Sequence, residues 1–208
     1  MAYRVSATSL GHAIDHLHRY GDTDVFPHLP ELTFLTQSKN EIVDELSRLD
    51  LDVYTPGGAI EALAPKSRFG FRVVHQLTAT DTVLMLACVI EIGSQIEMRR
   101  QPANTISAFS YRFQPPINGK IFIDGRTYRD WLHSQADYVD LNLEVAAVIS
   151  TDISDFYARV NFHRLDNLLD DACPGHGAAR FIKKQIKMIS SAPIFRITRR
   201  RRGGPASC

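Results

Sequence analysis

A chain of 208 residues, 44% hydrophobic and 23% charged, is long enough to bury one good core, or a domain with an extension, and its composition excludes disorder as the default. The formal charge of +1 gives no ground for nucleic-acid binding by bulk charge, because without Arg196 and Arg199 to Arg202 the remainder is net acidic and any basic surface must be made by placement. Three cysteines without C-x-x-C spacing exclude a zinc ribbon, and the apolar run Val83–Ile90, cut short by Glu91, is too short to cross a bilayer; a cytoplasmic chain with free thiols and no membrane partner is expected.

In chain order, the spacing of Leu10, Ala13, Ile14, Leu17 and Tyr20 predicts an amphipathic helix closed by Gly21. "GDTDVFPHLPE", from Gly21, predicts an ordered loop or extended strap. Ser38 with Glu41 forms a capping-box signature for a helix that buries Ile42, Val43, Leu46 and Leu49, and "TPGGA" at Thr55 to Ala59 predicts a turn. In "RFGFRVVHQL" the residues Phe69, Phe71, Val73, His75 and Leu77 alternate with Gly70, Arg72, Val74 and Gln76; this strand period holds Arg72 out on one face. Thr80 or Asp81 is expected to cap a helix running to about Ile92.

"SAFSYRF", Ser107 to Phe113, alternates as a strand, and Asn118-Gly119 marks a hairpin turn into "KIFI". "YRDWLHSQADYV" predicts a helix leading to a core strand at Glu144 to Thr151. After that strand, Phe162, Leu165, Leu168 and Leu169 recur at helical spacing, and "CPGHG" ends the helix. No internal repeat is present, and the mixture of elements predicts an α+β fold.

The chemistry concentrates late, in "VISTDISDFYARVNFH" from Val148 to His163. An aspartate closing a buried apolar strand is costly unless an ionic partner faces it. Asp152, with the carbonyl of Ile153 beside it, offers the hard oxygen ligands that Mg²⁺ prefers. An acid after a strand also serves simply to cap the next helix, and spacing alone leaves both readings open. The three-residue separation of Asp152 and Asp155 excludes a phosphatase of the D-x-D type. The eight histidines form no H-E-x-x-H or related constellation.

"TDISDFYARVNFHRL" resembles the first palm motif of bacterial reverse transcriptases, the kind related to retrons, group II intron proteins and phage-defence enzymes. "RYGDTDVFPHLPE" and "PKSRFGFRVVHQLTATDT" are similar to amino-terminal and fingers segments of that family, so the likeness covers most of Leu10 to Asp171. The resemblance implies RNA-directed DNA synthesis by two-metal nucleotidyl transfer, with Mg²⁺ as cofactor and Mn²⁺ able to replace it, and with an RNA template, a DNA or RNA primer and dNTPs as partners. It makes Asp152 the catalytic metal-binding carboxylate and Ile153 the backbone-carbonyl ligand. Asp155 would shape the turn toward the triphosphate, Phe156 would sit beside it, and Tyr157 would lie under the sugar and exclude a 2′-OH. Lys66, Arg68 and Arg72 fall where the family holds triphosphate and template, with Arg72 favoured because strand alternation fixes its direction.

The implied architecture is a helical amino-terminal extension over residues 1–60, a fingers-like region over 61–140, and the first half of a palm over 141–195. That palm would be incomplete, an antiparallel sheet with helices on one face and an open edge, followed by a basic tail over 196–208. The chain departs from the family in having no aromatic-x-Asp-Asp sequence, the second source of metal carboxylates, and "GGPAS" resembles only a remnant of the family's glycine-proline motif. A truncated polypeptide, catalytically silent by itself, is therefore expected. Two other readings carry less of the sequence: a nucleotide cyclase, from "DISDFYARVN" followed by Gly175-His176-Gly177, and a non-catalytic nucleic-acid-binding fragment gripping phosphates with Arg199 to Arg202.

Overall fold

The longest described helix, α4 (Ala79–Met98), carries the apolar run Val83–Ile90, and a run that is apolar all round is stable in water only when other elements cover it. The computed structural model describes residues 2–22, 30–67, 70–102, 108–153, 156 and 160–191. In it α4 buries Val83, Leu84, Ala87, Cys88, Ile90 and Ile92 beneath two flanking helices, α1 (Ala7–Tyr20) and α7 (Gly177–Ser191). By length and composition α4 is the one described helix apolar enough to cross a membrane, and half of its apolar window is buried by the protein itself.

The expected first helix forms with its expected face: Leu10, Ala13, Ile14 and Leu17 are buried, the Ser6 hydroxyl accepts from Ser9 N at 3.1 Å, and Gly21 ends the helix at φ 76°. Each fully buried leucine or isoleucine contributes about 1.5–3 kcal/mol. Outside α1 lie α2 (Pro30–Gln37) and α3 (Lys39–Ser47). The expected loop from Gly21 therefore gives way to helix at Pro30, a residue pre-set for the first helical turn; residues 23–29 lie outside the described residues. The expected capping box at Ser38 does not form. Ser38 is only a one-residue break between two helices, with φ −104° and ψ 30°, and its side chain makes no cap hydrogen bond.

Helix α4 starts earlier and ends later than its sequence implied. Its cap is Thr78, whose hydroxyl accepts from Asp81 N at 3.2 Å, and it continues past Ile92 because Gly93 lies against the ring of Phe113, where a Cβ would come within 2.5 Å of the ring carbons. Helix α7 was not anticipated. Its seam of Ala178, Ala179, Phe181 and Ile182 is cut by Arg180, Lys183 and Lys184, which lie on the opposite side.

Strands are few. β1 (Ile60–Ser67) pairs antiparallel with β2 (Gly70–Gln76), and β3 (Phe113–Ile117) with β4 (Lys120–Phe122), so the fold combines helices with two small antiparallel sheets, an α+β arrangement. The Asn118-Gly119 turn forms as expected, with φ of 50° and 76° at the two positions, the left-handed pair a tight hairpin requires. The strand expected over Ser107 to Phe113 instead begins at Phe113. Residues 103–107 lie outside the described residues, and Arg112 is turned inward, 3% exposed, to pair with Glu97 and to donate to the carbonyls of Gln101 and Ala108 at 2.7 and 3.0 Å. Just before it Tyr111 adopts a left-handed φ of 53°, which interrupts the extended backbone, while Arg112 O still accepts from Ile123 N at 2.9 Å.

The helix at "YRDWLHSQADYV" forms as α5 (Tyr128–Leu141), capped reciprocally by Thr127 and Asp130, yet it buries no residue. The two hydrogen bonds from Thr127 hold the Asp130 carboxyl below the usual range. The core strand expected at Glu144 to Thr151 is not a strand: residues 145–153 are irregular and exposed, with Val148 at 68% and Ile149 at 88%. A continuous apolar run does not by itself distinguish strand from buried segment, and a strand needs a neighbour to pair with; neither described two-stranded sheet includes this segment. Beyond it α6 (Phe162–Ala172) forms where expected, with Asn161 Oδ1 accepting from Arg164 N at 3.2 Å, though only Leu169 is buried.

The polar core is concentrated on Asp81, wholly buried at the start of α4. Its carboxylate accepts from Gly57 N at 2.8 Å, Thr78 Oγ1 at 2.9 Å, Tyr54 Oη at 3.1 Å and Gln185 Nε2 at 3.2 Å. Asp81→Ala leaves these donors without an acceptor in the core and is expected to lower the unfolding free energy by about 3–5 kcal/mol in urea denaturation. A loss below about 1 kcal/mol would show that the carboxylate is dispensable.

Candidate functional site

Two places carry the residues singled out by sequence. The first is the β1–β2 ribbon. Its register sets Arg72 opposite Ala64, Val73 opposite Leu63 and Phe71 opposite Pro65. Directly opposed residues share a face, so Leu63, Phe71 and Val73 lie together, and all three are exposed. Arg72 is exposed on the other face. The alternation expected of this strand is correct as geometry but wrong as burial: toward the tip both faces are open, and only Gln76 and Ala64 are buried. Lys66 lies in β1 at the irregularity between Pro65 and Ser67, and Arg68 lies outside the described residues.

At the ribbon's base His75 Nε2 lies 3.4 Å from Glu61 Oε2, a pair that ties the two strands together.

The second place is the segment ending at Asp152. The carboxylate is exposed, and its Oδ1 accepts from Ile153 N at 2.9 Å, a local turn of the kind short polar side chains make with their own backbone. Ile153 is 63% exposed and Phe156 51%; Asp155 and Tyr157 lie outside the described residues. The premise that Asp152 closes a buried strand is thus overturned: nothing desolvates this acid, so it does not require a cation to offset burial.

A lone exposed carboxylate is a poor site for Mg²⁺, which needs several hard oxygens in near-octahedral array. Among the described residues no group of three or more His, Cys, Asp or Glu side chains is placed to hold a metal ion. Among the described residues Asp152 thus has no companion ligands for a metal ion. A groove lined by α2, α3 and the start of α4 includes neither Arg72 nor Asp152.

Several other acids and bases have structural duties. Glu91 accepts from Tyr3 Oη and from Ser6 N, the latter at 2.7 Å; burial, with this bond, raises the Tyr3 hydroxyl far above its ordinary range. Burial and the neighbouring Glu91 charge likewise keep the Cys88 thiol protonated. Tyr54 is pushed up to about 12 by burial and by Asp81. Asp52 holds Arg180 in a fork at 2.9 and 3.1 Å, Lys183 pairs with Asp170 at 2.6 Å, and Lys187 with Asp166 at 3.3 Å, so the cations of α7 are committed within the chain.

The Gly175-His176-Gly177 turn has such a duty too. His176 packs edge-on against Tyr3 with ring centroids 5.7 Å apart, its Nδ1 accepts from Ala178 N at 3.1 Å, and a Cβ on Gly177 would fall 2.0 Å from the Tyr3 ring. This accounts for the Gly-His pair without a cyclase. The buried Asp81 and Glu97–Arg112 groups were missed as polar anchors; the Thr78-x-x-Asp81 spacing was the available signal for the first, and none marked the second.

No family model matches this chain, and neither a curated protein nor a solved structure matches it.

Asp152→Asn is expected to change the unfolding free energy by no more than about 0.5 kcal/mol, because the carboxylate makes only a local bond in solvent. A loss above about 2 kcal/mol in the same denaturation experiment would assign Asp152 a structural role.

Proposed function

We propose that the chain is part of an RNA-directed DNA polymerase of the bacterial reverse-transcriptase kind, cytoplasmic, engaging an RNA template and its primer. The observation that carries this reading is Asp152 itself: an exposed acid whose described bond is the local one from Ile153 N, placed after an apolar run and followed in sequence by Ile153, Asp155, Phe156 and Tyr157. Support also comes from the ribbon, where Arg72 stands exposed to meet phosphate oxygens and the open Leu63, Phe71 and Val73 face suits contact with bases or sugars. The buried free thiols of Cys88 and Cys173 suit a reducing compartment.

In this reading residues 61–140 act as fingers and the run before Asp152 is a palm strand awaiting its neighbours. Asp152 would supply one carboxylate toward Mg²⁺. The partner carboxylates are not among the groups described around it, so nucleotidyl transfer is not assigned to these 208 residues. Their own contribution is to hold the nucleic acid.

The test is fluorescence anisotropy on a labelled RNA–DNA primer–template, with primer extension run in parallel. The chain is expected to bind the hybrid with affinity that falls as salt rises, Arg72→Ala to weaken binding about threefold or more and reduce the salt slope by about 1, and extension with Mg²⁺ to be absent. Hybrid binding unaffected by Arg72→Ala would remove the ribbon from the reading, and Asp152-dependent extension would overturn the statement that the chain is silent alone.

A further inference from the structure

A groove of about 350 Å³ opens where α2 and α3 meet the start of α4, walled by Phe34, Leu35, Ile42 and Leu46 and edged by Glu41 and Glu45. Phe34 is 60% exposed in it, and of the two acids Glu45 also meets Arg48 at 3.4 Å. An open apolar wall with acidic edges selects an occupant that is apolar and basic together.

The chain contains such a segment. From Ile194 to Arg202 it reads I-F-R-I-T-R-R-R-R, apolar at Ile194, Phe195 and Ile197 and cationic at Arg196 and Arg199 to Arg202. The fold delivers it to the right end of the molecule. Gly177, the first residue of α7, lies against Tyr3, which bonds Glu91 in the latter half of α4. Eight residues later Gln185 bonds Asp81 in the first turn of α4. Thus α7 runs antiparallel to α4 and ends, at Ser191, beyond the α4 start that supplies Thr80 to the groove. At roughly 3.3 Å per extended residue, the stretch from 192 to 198 reaches about 20 Å further, comparable to the breadth of two packed helices.

We propose that the segment Ile194–Arg202 docks in this groove of its own chain, seating Phe195 and Ile197 on the apolar wall and its arginines against Glu41 and Glu45. Docking occupies cations that otherwise bind phosphates without sequence preference, so the contact is self-masking and competes with nucleic acid. This inference is independent of the polymerase reading.

The test is disulfide trapping in the full chain with Cys208→Ser, pairing Ser38→Cys in the groove with Thr198→Cys in the segment. Ser38 makes no cap hydrogen bond, and Cys88 and Cys173 are buried, so neither the fold nor the trapping is compromised. The control pairs Thr198→Cys with Thr151→Cys, an exposed site on the 145–153 segment. The 38–198 bond is expected to form within one chain about tenfold faster than 151–198, and to slow about tenfold when Glu41→Lys and Glu45→Lys are added. Equal rates at the two sites, insensitivity to the charge reversals, or a bond that forms only between chains would each overturn the proposal.

Discussion

One buried carboxylate organises this fold. Asp81 sits fully enclosed at the start of α4 and is made tolerable there by four donors from three parts of the chain: Thr78 in its own cap, Tyr54 and Gly57 in the irregular segment before β1, and Gln185 far along in α7. An unpaired acid in that position would cost several kcal/mol, so the donors are obliged to converge. Their convergence joins residues more than a hundred positions apart. A similar demand at the other end of α4 draws Arg112 inward to Glu97 and fixes where the second hairpin begins.

Because those demands are satisfied within the bundle of α1, α4 and α7, the residues left over are informative. The ribbon carrying Arg72 and the segment carrying Asp152 contribute little to the core, and each exposes apolar side chains that a self-sufficient domain would cover. Leu63, Phe71 and Val73 on the ribbon, and Val148 and Ile149 before the acid, form surfaces suited to further contacts. Among the described residues Asp152 makes one local bond, to Ile153 N, whereas Asp81, equally acidic, is fully engaged by the core.

Helices α1 and α6 lie where their spacing put them, because an apolar stripe depends only on local order, and α5 forms over the residues expected of it; α7 carries the same kind of stripe, at Ala178, Ala179, Phe181 and Ile182, and was overlooked. The Asn118-Gly119 turn was legible for the same reason, since its backbone angles are a property of two residues. What escaped was set by distant partners. Ser107 to Phe113 alternates like a strand, but Tyr111 takes a left-handed φ of 53°, and Glu97 holds the Arg112 side chain and the Phe113 amide. Glu144 to Thr151 is apolar enough for a core strand, yet pairing requires a neighbour, and the described sheets leave it none. The site was half legible: the residue types around Asp152 could be read, but the supposed burial that gave the acid its purpose could not be checked until the segment was seen in the open.

Native-state hydrogen exchange distinguishes the folded unit from the segment outside it. Amides of Thr82 to Ile92 are expected to exchange only through global unfolding, while those of Val145 to Ile153 exchange within about tenfold of unstructured rates. Protection of Val145 to Ile153 comparable to that of α4 would contradict the account, because Asp152 would then close an ordered element of the fold.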